Sequence, residues 1–330
     1  MTRMLLTAGL VLGLTLTAFG ASQKELELMG NFEGSFTSGW PEVSISAQIV
    51  ALGKGKHLAK ITIDGIKVEV TGKTKGKAED GLCLYDDTVD AGDELGGKYR
   101  VVGQVTGGIF TATVEGNEGR GTFELKRVVK GSPTMGKKAP AGATVLLGKS
   151  AAPDAFVREP LWQIFADGVM KPSYSSAISK EEFGSAQYHI EFKTPFMPEE
   201  RGQGRGNSGV YLMGRYEMQV LDSYTEEPRD NFCGGIYKKA VPIVNACAPP
   251  EEWQTYDITF HAPQFDASGK KTKDAMFSAV HNGIVIHDKV VLPDCTPGGV
   301  SGEEAARGVL MLQYHHNDVS YRNVWIQPID

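Results

Sequence analysis

The sequence predicts an all-β protein, a small β unit followed by a jelly-roll sandwich. Short runs alternate apolar and polar residues as half-buried strands do, and no stretch sustains a helical period. Glycine-rich turns divide the runs at regular spacing, with connections of Greek-key length. Glycine supplies 40 of 330 residues, roughly 12% against an ordinary share near 7%, so the chain turns often.

Residues 1–21 read as a secretory signal. Arg3 gives a positive start, Met4–Phe19 is apolar apart from Gly and Thr, and Ala18-Phe19-Gly20-Ala21 offers small residues for cleavage. The run is short for a membrane span and no basic residue follows it immediately. The mature protein is expected to be secreted or periplasmic, without a membrane span.

Residues 22–130 read as a small all-β domain. Val43–Ile49 alternates cleanly, as do Ile61–Ile63 and Ile66–Val70. Asp64-Gly65 between the last two signals a two-residue hairpin, because Gly accepts the positive φ such a turn needs. Ile109–Val114 and Thr122–Val128 pair across Glu115–Gly121. Residues 131–141, rich in Pro, Gly and Lys, read as a linker.

The second domain spans 142–330. Strands are expected at Thr144–Leu147, Trp162–Phe165, Tyr188–Lys193, Gly209–Leu221, Trp253–Phe260, Ala275–His281, Ile284–Val291, Val309–Gln313 and Tyr321–Pro328. Asn282-Gly283 marks another hairpin. Helix is expected only as short turns, at Ser179–Glu182, which has the form of a capping box, and at Glu303–Arg307. Trp162, Trp253 and Trp325 are expected to be buried.

A formal charge of −6 with no basic cluster argues against a nucleic-acid partner. Cys83, Cys233, Cys247 and Cys295 allow three pairings, and one local disulfide among the last three is expected. Their unrelated spacings make a zinc cluster improbable.

Asn207–Ser223 is the most unusual stretch. It reads as a strand that bends at Gly214 and continues to Leu221, alternating large apolar residues with Arg215, Glu217 and Gln219. An ordinary strand carries Thr, Ser or Lys on its polar face. Three directional hydrogen-bonding groups in a row point to the floor of a binding groove; a solvated face with cross-strand ion pairs is the competing reading.

Several separated motifs resemble one family. They are Glu182-Phe-Gly, Tyr188-His-Ile-Glu-Phe-Lys-Thr-Pro-Phe-Met-Pro198, the run from Gly202 to Ser223, Cys233-Gly-Gly-Ile-Tyr237, Trp253-Gln-Thr-Tyr-Asp257, His281-Asn-Gly283 and Tyr321-Arg-Asn-Val-Trp-Ile326. Residues 142–330 thereby resemble the 3-keto-disaccharide hydrolases, whose fold is concanavalin A-like, and residues 22–130 more weakly resemble the β domain that often precedes it. The resemblance implies a sugar-binding face, a carbohydrate substrate and hydrolysis of glycosides already oxidised at C3 by a separate sugar 3-dehydrogenase. A C3 ketone acidifies the C2 proton, so a base removes it, the C1 substituent leaves by elimination, and water adds back. Such a route needs a base, an acid and stabilisation of the enolate; a divalent cation would serve the last role, although no metal ligands are identified.

Glu217 is the first choice for acid–base or metal work. The spacing Glu217, Gln219, Asp222 is similar to the E-x-D-x-x-E of laminarinase-type glucanases, but an offset of five puts Glu217 and Asp222 on opposite faces unless a bulge intervenes. Asp222 is alternatively a turn residue. Arg215 and Gln219 would hold sugar hydroxyls, and Arg205 and Asn207 would shape one wall of the groove. At Gln313-Tyr-His-His-Asn-Asp318 the family has Gln-x-His followed by Gly-Asn, so His315 matches the family histidine, Gln313 shares its face, and His316 stands where glycine is common. His315 is a proton carrier or metal ligand, or a structural histidine. Tyr237 and Lys238 are further candidates to contact sugar. A lectin-like binding module and a retaining β-glucanase are the alternative functions.

Overall fold

Asp64 and Gly65 take positive φ, 47° and 83°, and the turn they make sets Ile63 opposite Ile66. Both angles suit the two-residue turn whose twist matches that of paired strands. This hairpin belongs to the first of two units, residues 1–129 and 130–330, in a computed structural model. Described are residues 24–75, 80–92, 97–148, 155–157, 163–165, 167–171 and 174–329. The expected signal at 1–21 and Trp162 lie outside the described residues.

The first unit is a closed barrel of β1 (Gly30–Ser38), β2 (Ser44–Ala51), β3 (Lys56–Ile63), β4 (Ile66–Thr74), β5 (Leu82–Asp90), β6 (Lys98–Thr106), β7 (Ile109–Gly116) and β8 (Gly119–Val128). Each strand pairs antiparallel with the next, and β1 closes on β8, so no sheet edge is left free. Phe32, Ile45, Ile61, Val101, Phe110 and Phe123 fill the interior, none more than 2% exposed.

The second unit runs through β9 (Thr144–Leu147), β10 (Phe156–Val157), β11 (Gln163–Ile164), β12 (Met170–Lys171), β13 (Ala177–Phe183), β14 (Ala186–Lys193), β15 (Ser208–Leu212) and β16 (Tyr216–Val220). It continues with β17 (Gln254–His261), β18 (Gln264–Phe265), β19 (Lys271–Lys273), β20 (Ala275–His281), β21 (Ile284–Leu292), β22 (Gly308–Leu312) and β23 (Ser320–Pro328). One sheet has the order β10-β13-β22-β15-β16, the other β11-β12-β23-β14-β17-β20-β21 with β9 beside β23. Together they form a jelly-roll sandwich.

Contacts between the sheets identify the inner face. Tyr216 meets Phe260 with ring centroids 5.1 Å apart, and Ser208 Oγ lies 2.6 Å from Tyr321 Oη. Val210, Leu212, Met218 and Val220 share that face and are fully buried, each stabilising the fold by about 1.5–3 kcal/mol.

Three local expectations are corrected. Gly209–Leu221 is not one bent strand but the hairpin β15–β16, because Met213 and Gly214 both adopt positive φ and reverse the chain. Ser179–Glu182 caps no helix. It lies inside β13, where Ser179 Oγ donates to the Glu181 carbonyl and accepts from Leu310 N–H of the neighbouring strand. Glu303–Arg307 is likewise non-helical; Glu304 instead reaches Tyr216 and Lys271.

Residues 131–141 contain a stretch tied to the outer face of the larger sheet. Ser132 bonds Thr255, Thr134 donates to Asp257 at 2.6 Å, and Gly136 N–H donates to Glu191. The expected local disulfide is not formed, and all four cysteines are free. Cys233 instead turns its sulfur toward the Tyr256 hydroxyl at 3.2 Å.

Candidate functional site

Because Tyr216, Met218 and Val220 face the core, alternation sends Glu217 and Gln219 to the opposite side of the smaller sheet. Register places Tyr211 opposite Glu217 and Gly209 opposite Gln219. The Gln313 N–H continues the ladder by donating to the Gly209 carbonyl, 2.8 Å away. This outer face is covered, not an open floor: Glu217 is 2% exposed, Gln219 1% and Tyr211 1%. Segments from elsewhere border it: Tyr237 N–H donates to the Glu217 carbonyl and Thr296 Oγ accepts from Glu217 N–H along the edge of β16, while the Pro297 carbonyl lies 3.2 Å from the Tyr211 hydroxyl.

Glu217 is held by one charge-sensitive contact. The Tyr211 hydroxyl donates to its carboxylate at 2.7 Å and also lies 3.2 Å from the Pro297 carbonyl. Burial raises Glu217 to about 7, and the Tyr211 hydrogen bond only partly opposes that shift. Burial likewise raises Tyr211, assisted by the Glu217 charge and by Tyr237. When Glu217 is protonated it donates to the Tyr211 oxygen, and Tyr211 then donates to Pro297. The Tyr211 hydroxyl therefore keeps an acceptor in either protonation state of Glu217. Gln313 Nε2 stands 3.4 Å from the Tyr211 hydroxyl, while its buried Oε1 has no hydrogen-bond partner.

A second group of predicted residues forms a scaffold beside this centre. Gln219 Nε2 donates to Asn207 Oδ1 at 2.9 Å, and Asn207 Nδ2 donates to the Gln203 carbonyl at 2.8 Å. Asn317 Oδ1 accepts from Asn207 N–H at 2.6 Å, fixing the loop that carries His315. Asp222 is bound to Arg205 Nε at 2.6 Å and is 4% exposed. Burial pushes its carboxyl up while Arg205 pulls it down, with a net rise. No bulge interrupts the β15–β16 register, and no described contact joins Asp222 to Glu217.

Arg215 does not share the polar row. Its guanidinium donates to the carbonyls of Glu303 and Met213, at 2.6 and 2.8 Å, and so fastens the hairpin loop. His315 and Lys238 are exposed and Tyr237 half-buried. The His315 ring meets His316 edge-on at 6.3 Å, and Lys238 lies 5.4 Å over the Tyr237 ring. His316 holds φ 59°, the left-handed region that favours glycine. Among the described residues no three His, Cys, Asp or Glu side chains gather to hold a metal ion. Glu217 with Tyr211 and Gln313 is a poor donor set for a divalent cation, so no chemical step is assigned to one.

Sequence reasoning missed Tyr211 and Thr296, and gave Gly209 and Asn317 no role of their own. Tyr211 was legible once the turn at Met213-Gly214 is recognised, since the hairpin register then fixes its partner. A Cβ at Gly209 would fall 2.2 Å from Glu217 Oε1, so that glycine makes room for the carboxylate. It also missed a cluster on the outer face of the larger sheet. His189 Nδ1 lies 2.8 Å from Asp257, and Arg322 Nε donates to Glu191 at 2.7 Å. Burial alone would lower His189, but Asp257 and Glu191 raise it above its ordinary value. Burial opposes the charge on Glu191, yet His189, Asn323, Arg322 and Gly136 bring it down to about 2. His189 and Glu191 are buried beneath residues 134–137, while Arg322 is partly exposed and lines a cavity with Trp253 and Lys193.

Comparison with known proteins bears on residues 138–327, which match the family model described as a 3-keto-alpha-glucoside-1,2-lyase-like domain. A crystal structure of a candidate glycosyl hydrolase from Parabacteroides distasonis is similar at 31% identity and a TM-score of 0.52, covering 58% of this chain and 85% of that one. A second candidate glycosyl hydrolase from the same organism is 20% identical with a TM-score of 0.42, covering 57% of this chain and 99% of the other. No curated protein matches the chain.

Proposed function

Since the chain belongs to the 3-keto-alpha-glucoside-1,2-lyase-like family, and its second unit is thereby a glycoside-acting enzyme domain, we propose that it cleaves 3-keto-glycosides by elimination, with Glu217 as the proton-transferring group. The observation that carries this reading is the Glu217–Tyr211–Gln313 arrangement: a buried carboxyl brought to about 7, one hydroxyl donor, and one carbonyl oxygen without a partner. A base for a C2 proton acidified by the neighbouring ketone works best with an affinity near the operating pH. Glu217 takes that proton, the electron pair forms the C1–C2 double bond, and the C1–O bond breaks. His315, exposed two residues beyond Gln313, delivers a proton to the departing oxygen. Addition of water at C1, with return of the proton to C2, completes net hydrolysis; release before that step is the lyase outcome.

Gln313 Oε1 accepts a sugar hydroxyl, and the Tyr211 hydroxyl orients Glu217 and follows its change of charge. Gln219, Asn207 and the Arg205–Asp222 pair hold the wall, while Tyr237 and Lys238 meet substrate at the surface. The protein acts outside the cytoplasm, on material supplied by a sugar 3-dehydrogenase. A retaining glucanase needs a second carboxylate roughly 5 Å from the first. Asp222 is committed to Arg205, which weighs against that alternative.

The test is incubation of a 3-keto-disaccharide with the protein in D2O. Cleavage with deuterium appearing at C2 is expected, and Glu217→Gln should lose both. Full activity in Glu217→Gln, or turnover only of unoxidised glycosides, would overturn the reading.

A further inference from the structure

The barrel of the first unit is not filled along its whole length. Eight strands leave an interior that side chains just fill, or room for one small ligand. Here a cavity of about 140 Å³ remains, lined among others by Trp40, Ile61, Ile66, Val89, Tyr99 and Val114. Its inner wall is closed, with Ile61 1%, Val101 1% and Phe123 0% exposed. Its outer rim is accessible, since Trp40, Ile63, Ile66 and Tyr99 are partly exposed.

Among the described residues, no charged side chain lines this space. Water inside it would forgo most of its hydrogen bonds, and an apolar cavity of about 150 Å³ stays dry and accepts benzene. A sugar or carboxylate would lose its hydration without compensation. The rim adds a preference for rings. Trp40 stands edge-on to Phe36 at 4.9 Å and 73°, and edge-on to Tyr99 at 5.9 Å and 89°. The rim thus already packs ring against ring, and a further ring beside it can add offset or edge-to-face contacts that an alkyl chain cannot.

We propose that the first unit binds a neutral monocyclic aromatic group, free or as the terminal ring of a larger molecule, in the cavity beside Trp40. The site is independent of the chemistry at Glu217 and would stand if that reading failed.

The test titrates toluene into the full chain and follows the methyl resonances of Ile61 and Val101. Saturable shifts are expected at both. Ala91→Trp fills the cavity from just past the end of β5 and should weaken binding at least ten-fold. Val68→Phe does the same from β4 and serves if the first variant fails to fold. Benzoate should bind at least ten-fold more weakly than toluene. Absence of saturable shifts up to the solubility of toluene, equal affinity in the folded filled variant, benzoate binding as well as toluene, or tighter binding of hexane would each overturn the proposal.

Discussion

Tyr211 and Glu217 are direct partners across the β15–β16 hairpin, and the phenol donates a 2.7 Å hydrogen bond to the carboxylate. This bond favours the charged form of an acid that burial otherwise holds protonated. Tyr211→Phe removes the bond and keeps the ring. The Glu217 limb of the pH–activity profile should move upward by about one pH unit, as loss of one hydrogen bond to a charged group predicts. A kcat/KM profile over pH 5–9 checks it, and an unmoved limb would separate Tyr211 from Glu217.

Glu217 also sets a pH dependence of stability. Its folded value of about 7 exceeds the ordinary 4.5, so the unfolded chain gives up the proton first as pH rises. The resulting cost to folding begins above 4.5 and is complete above about 7, where it reaches about 3 kcal/mol. Glu217→Gln should therefore melt higher than the parent at pH 8 and equally at pH 4, while activity falls by about 10²–10⁴-fold. Melting curves at the two pH values read the first effect.

Gly209 is the residue that leaves Glu217 room. In Gly209→Ala the new Cβ would stand 2.2 Å from Oε1 and 3.0 Å from Cδ, so the carboxylate must shift away from Tyr211. A loss of about 1–3 kcal/mol in stability is expected, with a larger fall in kcat than in folded fraction. Parallel activity and denaturation measurements distinguish the two.

Glu191 anchors the other sheet. Burying it uncharged would strand Arg322, and Glu191→Gln should destabilise the second unit by about 3 kcal/mol at pH 7. Its carboxyl is held at about 2, so its contribution is present above pH 4.5 and fades as pH falls through 2. The gap between variant and parent should narrow over that interval in denaturant titrations.

The residues themselves determined most of the strand pattern. Asp64-Gly65 and Asn282-Gly283 fixed two hairpins, because positive φ at both positions is a local steric requirement that no distant contact has to supply. Glu217 likewise stood out as a carboxylate on the polar side of a strand. Tertiary structure alone decided the rest. Ser179–Glu182 has a helix-start pattern but pairs with β22, where Ser179 satisfies Leu310 N–H and becomes fully buried. Arg205, Asp222 and Arg215 looked like groove residues, yet which partner a charge meets depends on segments far apart in the chain. The same holds for the burial of Glu217, which raises the acid and depends on how the assembled segments pack around it. Period and turn chemistry are local and can be read along the chain; burial and pairing are properties of the assembled sheets.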